Sequence, residues 1–437
     1  MARKTDRDAS ITVIHNEPVP EYSRCGLPYT ISGKIPELES VIIHPTGFYT
    51  GPLVGAKLRL AAIATKIDVK TKSVQIEDAS KRKEVIPYDS LVLATGARPS
   101  VPPIKGLDAP HVFRLHTFDD ARALQAAARK AKTVAVIGAG LVGLEAAEAL
   151  HTLGLKVTVV EFLESVLPAM IDDDMGKLVQ QRMEQEGITL LLGTAAKEVT
   201  KTHVAVTNRA SGKDDAVPAA LVVVATGVRA TSVLAADAGT KLGRQGGILV
   251  DDRMMTSIPD VYAAGDCAEH RDLVTGQTLV SGLGSIALRQ GEVAGVNAAG
   301  GQAQLPGVVL ARTTRLFGLE IAAVGPTRVT AEQAKLTVLI GKFEGSTTAE
   351  YYPSESSVSI KLLADKESGK LLGGQVIGPC AHQRANVLSA ALTAGMTVRQ
   401  VADLETCYAP PVAPIREPLT MAAQVLALRQ AALRKKS

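Results

Sequence analysis

The chain has 437 residues, 46% hydrophobic and 21% charged, which suits a globular protein of roughly two to four domains with ample core material. Its net charge of +4 is small and its Lys and Arg are dispersed, so nucleic-acid and membrane-surface binding find no support, and no apolar run is long enough to predict a transmembrane helix. Four widely spaced cysteines, with no CxxC spacing, and eight histidines, with no HxxxH or HExxH pair, predict no metal site and a reducing, cytoplasmic setting without a signal segment at Met1–Asp8.

Taken in chain order, the first informative segment is Tyr22-Ser23-Arg24-Cys25-Gly26-Leu27-Pro28-Tyr29. Cys25 lies just ahead of an expected helix start, with Pro28 suited to a first turn. Helix N–H groups and the Arg24 cation both favour a thiolate there. No second cysteine follows until Cys267, so redox work at Cys25 needs a sulfenic acid or a bond to an external thiol. The competing reading is a buried structural cysteine. Alternation in Ser73-Val74-Gln75-Ile76-Glu77 predicts an antiparallel insertion. Tyr88 to Leu93 then reads as a buried strand ending in the turn Ala94-Thr95-Gly96-Ala97-Arg98-Pro99.

Thr133 to Ile137 is a continuous apolar run, fit for a buried parallel strand. Gly138-Ala139-Gly140-Leu141-Val142-Gly143 follows, then the helix-forming run Leu144 to Leu150, Gly154, and a second strand, Lys156 to Val160, ending at Glu161. GxGxxG between strand and helix, with an acid at this distance, predicts a dinucleotide-binding unit along Gly138, Gly140 and Gly143. Glu161 suits a ribose 2′-OH, and no Arg occurs in Phe162-Leu163-Glu164-Ser165, which favours NADH over NADPH. Leu221 to Val224 leads into Ala225-Thr226-Gly227-Val228-Arg229, an echo of the earlier turn that implies two nucleotide domains of related build. Ile258 to Asp266 is another strand, ending in Gly265-Asp266, whose carboxylate suits a sugar-alcohol chain or, alternatively, a helix N-cap. Gly300 to Pro306 reads as a linker. Strands at Ser357–Leu363 and Leu371–Ile377 and a helix from about Gln383 to Gly395 form a separate α+β domain.

Together, Cys25-Gly26-Leu27-Pro28-Tyr29 with Gly33, both Ala-Thr-Gly turns, the fingerprint at Gly138, Gly265-Asp266 and Tyr408-Ala409-Pro410-Pro411 resemble the single-cysteine branch of the pyridine nucleotide–disulfide oxidoreductase family. Within it the chain is most similar to the coenzyme A-disulfide reductases and related NADH oxidases and peroxidases. The resemblance implies an α/β fold of two nested Rossmann-like domains plus a C-terminal α+β dimerisation domain. The expected boundaries are 1–117 with 246–302 for FAD, 118–245 for NAD(P)H and 303–437 for dimerisation. It further implies that Asp266 binds the FAD ribitol beside Gly265, that Thr95 and Gly96 line the flavin domain, and that Ala287 packs near the isoalloxazine. NADH would reduce FAD, and Cys25 would receive the electrons, with Arg24 toward a small thiol or disulfide substrate. Tyr408 would arrive from the second subunit of a homodimer as a proton donor. The alternatives are an NADH oxidase or peroxidase, cycling Cys25 as sulfenic acid with oxygen or peroxide, and a flavin-poor NAD-binding dimer.

The chain departs from the family at several positions. The opening strand and its own GxGxxG are absent; Ile11 to Ile14 matches the second strand of that unit, and Met1 falls within the preceding helix. A gene start placed too late is the favoured expectation, over a chain that binds FAD poorly. His15 takes the place of an acid at the strand end, and Glu21, in place of a serine, is close enough to raise the Cys25 pKa. Val412 replaces a second tyrosine common in coenzyme A-disulfide reductases. Cys267 reads as a small buried residue, whereas Cys407 adjoins Tyr408.

Overall fold

Five strands whose residues are apolar on both faces organise the middle of the chain. In the computed structural model, which describes residues 1–353 and 356–435, they form a parallel sheet. Its order is Thr189–Leu191, Lys156–Val160, Thr133–Ile137, Leu221–Val224 and Val112–Phe113. Val134, Ala135, Val136, Val157 and Val159 are fully buried because both faces are covered. One face packs on the Leu141–Thr152 and Asp173–Gln185 helices through Leu144, Leu150, Met175, Val179 and Met183. The other meets an antiparallel sheet, Thr194–Val199, His203–Asn208 and Asp214–Pro218, through Val204, Val206 and Val217. Each buried valine contributes about 1.5–3 kcal/mol, enough to hold the Gly138 turn on a rigid strand end.

A second unit repeats this plan. Leu91–Leu93 pairs in parallel with Val261–Ala263, and Ile11–Ile14 in parallel with Ala56–Arg59; among the described residues these are two separate parallel pairs. An antiparallel sheet, Ala62–Asp68, Ser73–Asp78 and Lys83–Pro87, covers one side, so the insertion read from Ser73–Glu77 is present. The Gly284–Ala298 helix covers the other. The Ala2–Thr5 helix precedes Ile11–Ile14 and packs on Gly284–Ala298. The two echoing turns meet each other: Ala97–Pro99 pairs antiparallel with Val228–Ala230, Arg98 opposite Arg229.

The C-terminal domain is a five-stranded antiparallel sheet in the order Arg312–Leu316, Leu319–Val324, Leu371–Ile377, Ser357–Asp365 and Val338–Ser346. Helices Ala381–Thr393 and Pro418–Arg434 cover it, enclosing Ile360, Leu362, Val376, Leu388 and Leu426. The Gly300–Pro306 segment is not a free tether. Leu305 is buried and donates its N–H to the Asp252 carbonyl, and the Asn297 side chain bonds both polar atoms of the Ala303 backbone.

Candidate active site

Gly138, Gly140 and Gly143 each do different work. Gly138 has φ +110°, and a Cβ there would lie 2.4 Å from the Ala225 carbonyl oxygen. A Cβ on Gly143 would lie 2.1 Å from the Gly138 carbonyl, so this glycine lets helix and strand close together. Gly140, by contrast, has no atom within 4 Å of its Cβ position. It caps the Leu141–Thr152 helix with no side-chain cap bond, leaving helix N–H groups open toward an anion. The turn therefore fits a nucleotide pyrophosphate at Gly140, and the glycines at either side shape it. Glu161 is buried at the end of the adjacent strand. One of its oxygens accepts the Ala139 N–H at 2.6 Å and the other the Leu163 N–H at 2.8 Å. The expected ribose acceptor is thus first a brace for the glycine turn.

Cys25 lies in a 3₁₀ turn, Arg24–Gly26, capped by the Ser23 hydroxyl, which accepts the Gly26 N–H at 3.2 Å. Gly26 is needed because a Cβ would sit 2.7 Å from Val41 Cγ1. The Leu27–Ile31 helix follows, with Pro28 in its first turn, and buries Leu27 and Ile31 against the Leu141–Thr152 and Phe118–Ala128 helices. Cys25 is solvent-accessible, yet its surroundings reverse the expected direction of its pKa. Protein that displaces its hydration raises the thiol pKa, and the carboxylates of Glu145 and Asp266 raise it further. The Arg24 cation expected to counter this is engaged elsewhere: Nη2 bonds Glu17 at 2.9 Å and Nη1 donates to His116 Nε2 at 2.6 Å. Nor is Glu21 the cause, since its carboxylate is held by His44 and Tyr49.

Asp266 follows Gly265, which has φ +81° and donates its N–H to Gln290 Oε1 at 2.8 Å. The Ala287 methyl lies 3.7 Å from where a Gly265 Cβ would be, so small residues on facing elements meet here. Burial raises the Asp266 pKa against the opposing charges of Arg24 and His116. Asp266 follows the end of the Val261–Ala263 strand, which pairs in parallel with Leu91–Leu93, and its carboxylate acts on the Cys25 thiol. Thr95 and Gly96 follow the same end of Leu91–Leu93. Gly96 has φ +65° and open space beside it, and the Thr95 hydroxyl donates to the Thr231 carbonyl. Cys267, fully buried, donates to the Leu93 and Ala264 carbonyls, a structural role as expected. His15 Nδ1 is buried without a protein partner, an acceptor or donor that a ribose hydroxyl would satisfy. These features fit the ribitol, flavin and ribose portions of FAD; the sequence holds one GxGxxG, that at Gly138.

Several site residues escaped the sequence reading. Glu145, in the first turns of the Leu141–Thr152 helix, is raised in pKa by burial, and Thr314 Oγ1 from the C-terminal sheet donates to it at 2.7 Å. The neighbouring Glu148 is paired with Lys34 at 2.7 Å. Tyr408 is half-exposed and its hydroxyl meets that of Tyr351 at 2.7 Å, not Cys25. The adjacent pair Tyr351-Tyr352, in a chain only 3% aromatic, was the available signal. Among the described residues no cluster of three His, Cys, Asp or Glu could hold a metal ion, and no helix is long and apolar enough to cross a membrane.

A nucleotide-binding glycine turn, a lone cysteine and an acid at a neighbouring strand end define a dithiol-free pyridine nucleotide oxidoreductase. The chain belongs to the pyridine nucleotide-disulphide oxidoreductase family, which it matches over residues 1–303, with that family's dimerisation domain over residues 312–418. It is 37% identical over 427 residues to an NADH oxidase of Methanocaldococcus jannaschii, covering 97% of this chain and 94% of that one. It is 32% identical to a CoA-dependent NAD(P)H sulfur oxidoreductase of Pyrococcus furiosus, covering 93% and 90%. Among solved structures, an NAD-dependent persulfide reductase from A. fulgidus superposes with a TM-score of 0.94 at 35% identity, over 99% of this chain and 81% of that one.

Proposed function

We propose that this oxidoreductase carries reducing equivalents from NADH through FAD to Cys25, which reduces a small disulfide such as coenzyme A disulfide, a persulfide or a polysulfide. The observation that carries this reading is that the helix following Cys25, Leu27–Ile31, packs on the Leu141–Thr152 helix, which bears the glycine turn and Glu145, while the Glu145 and Asp266 carboxylates both act on the thiol. Bound FAD would take hydride from the nicotinamide and return two electrons to sulfur. The chain's residues supply the rest. Gly140 and the helix behind it hold the nucleotide phosphates, Asp266 accepts from the ribitol beside Gly265, and Thr95, Gly96 and Ala287 shape the flavin cleft. The proposed division is 1–117 with 246–302 around FAD, 118–245 around the nicotinamide nucleotide, and 303–437 for dimerisation.

At sulfur, the Cys25 thiolate attacks one sulfur of the substrate disulfide. The S–S bond breaks, the departing thiolate takes a proton, and a Cys25 mixed disulfide remains. Two electrons delivered through the nucleotides then release the second thiolate and restore Cys25. The Tyr351–Tyr408 hydroxyl pair is a proton donor suited to the departing thiolate, presented across a homodimer of the C-terminal domain. Tyr351, Tyr408, Val412 and Ile415 are large and exposed there, as an unpaired dimer face requires. The second reading, an NADH oxidase or peroxidase with Cys25 as sulfenic acid, is favoured by the name of the Methanocaldococcus jannaschii relative. It uses the same residues.

Rapid mixing tests the proposal. Cys25→Ser should retain anaerobic flavin bleaching by NADH and lose disulfide-dependent NADH turnover. A serine variant that still turns over coenzyme A disulfide would remove Cys25 from the mechanism.

A further inference from the structure

The acid at the end of the second strand marks where the adenosine ribose 2′ position lies in a dinucleotide unit, and a nearby Arg accommodates a 2′-phosphate. Here Glu161 is committed to two backbone N–H groups, which offset its charge. The segment after it is fastened to the hairpin between His203–Asn208 and Asp214–Pro218. Thr194 N–H bonds the Glu161 carbonyl, Gly193 N–H the Leu163 carbonyl, and Arg209 N–H the Gly193 carbonyl, each at 2.8 Å.

That stitching delivers Arg209 to the place where the sequence after Glu161 offers none. Its guanidinium lies 4.1 Å from the Phe162 ring centroid, and Nη1 donates to the Phe162 carbonyl at 3.0 Å. The Glu164 carboxylate is 3.9 Å away, beyond hydrogen-bonding range, and 68% exposed, so solvent and salt screen it. Stacking and one carbonyl bond hold the fork, whose other nitrogens make no protein hydrogen bond among the described residues and whose side chain is 40% exposed, an arrangement matched to a phosphate.

We propose that Arg209 binds the 2′-phosphate of NADPH, so that this site accepts NADPH as well as NADH. The inference rests on the reading of Gly138 to Gly143 as the pyridine nucleotide site. Phe162 to Ser165 supply no such cation; in this proposal it comes from a hairpin distant in sequence.

Isothermal titration of the full chain with adenosine 2′,5′-bisphosphate and with AMP separates the possibilities. Wild type should bind the bisphosphate at least as tightly as AMP. Arg209→Ala should weaken the bisphosphate roughly tenfold or more, the scale of a lost charged hydrogen bond, while AMP stays within about twofold. Arg209→Lys should fall between, because the charge remains without the fork. Equal loss for both nucleotides in Arg209→Ala, or a wild type that rejects the bisphosphate, would overturn the role of Arg209 and leave the nucleotide site standing. Failure of both nucleotides to bind wild type would remove the site and the inference with it.

Discussion

The glycine turn gives a prediction in which two neighbouring substitutions part company. At Gly140 the backbone has φ −77°, which alanine adopts freely, and no atom lies within 4 Å of the new methyl. Gly140→Ala should therefore leave stability nearly unchanged, the gain of about 0.4–1 kcal/mol from a more restricted unfolded chain being offset by alanine's poorer fit at a helix N-cap. The methyl would stand where a pyrophosphate must touch backbone, so NADH affinity should fall by roughly tenfold or more, the scale of one lost charged hydrogen bond. At Gly138 the backbone has φ +110°, and the methyl would meet the Ala225 carbonyl at 2.4 Å against an ordinary contact of at least 3.4 Å. Strand and turn must separate by about 1 Å in a rigid sheet. Backbone strain of about 1–3 kcal/mol and overpacking of a similar size predict a loss of about 2–6 kcal/mol for Gly138→Ala. Thermal melts paired with NADH titration check both. If Gly140→Ala bound NADH like wild type, the nucleotide would not lie against this turn; if Gly138→Ala melted like wild type, the account of why glycine is required there would be wrong.

Glu145→Gln removes a negative charge that raises the Cys25 pKa, so the pH midpoint for iodoacetamide alkylation of Cys25 should move down; an unmoved midpoint would uncouple the two residues. Lys361, nearly buried, sits 2.7 Å from both Asp172 and Asp174, tying the Asp173–Gln185 helix to the C-terminal sheet. Lys361→Met strands the buried Asp172 and should cost about 3–5 kcal/mol, largely restored by adding Asp172→Asn; urea titration of the single and double variants would show otherwise if the two lost stability independently. Burial would raise the Asp174 pKa, but Lys361 and Lys342, the latter 2.9 Å from the carboxylate, outweigh it and hold the value down at about 2. Its contribution is complete above the ordinary value and disappears as pH falls through about 2. The interval is about 2.5 kcal/mol at face value. Asp174 is 42% exposed, so solvent screening leaves about 1 kcal/mol, and Lys361→Met should flatten that acid-side loss in a pH series of unfolding midpoints.

The glycine turn was legible because every element of it is local: an apolar strand, three glycines at fixed spacing, a helix and an acid at the next strand end. Gly265-Asp266 was legible for the same reason. In the C-terminal domain the strands read at Ser357–Leu363 and Leu371–Ile377 are present, the first running on to Asp365. Arg312–Leu316 was not legible, because its Arg and Thr residues are satisfied by carbonyls and carboxylates of other domains, as Arg312 is at Ala169 and Thr314 at Glu145. What the chain cannot display in a short window is who meets a charge. Arg24 is adjacent to Cys25 in sequence, yet its guanidinium goes to Glu17 and to His116, 92 positions away. The carboxylates that act on Cys25 instead come from a helix and a strand end that only folding brings near. Arg209 and Tyr351 belong to the same class, side chains carried by hairpins and loops to elements read separately.

In the proposed mechanism electrons leave the protein through a bond to the Cys25 sulfur. Wild-type protein reduced with limiting NADH under argon, mixed with coenzyme A disulfide and quenched in acid, should yield a Cys25 peptide heavier by one disulfide-linked coenzyme A. That adduct should disappear when further NADH is added before the quench. A Cys25 peptide that stays a free thiol throughout turnover, while the disulfide is consumed, would contradict the account.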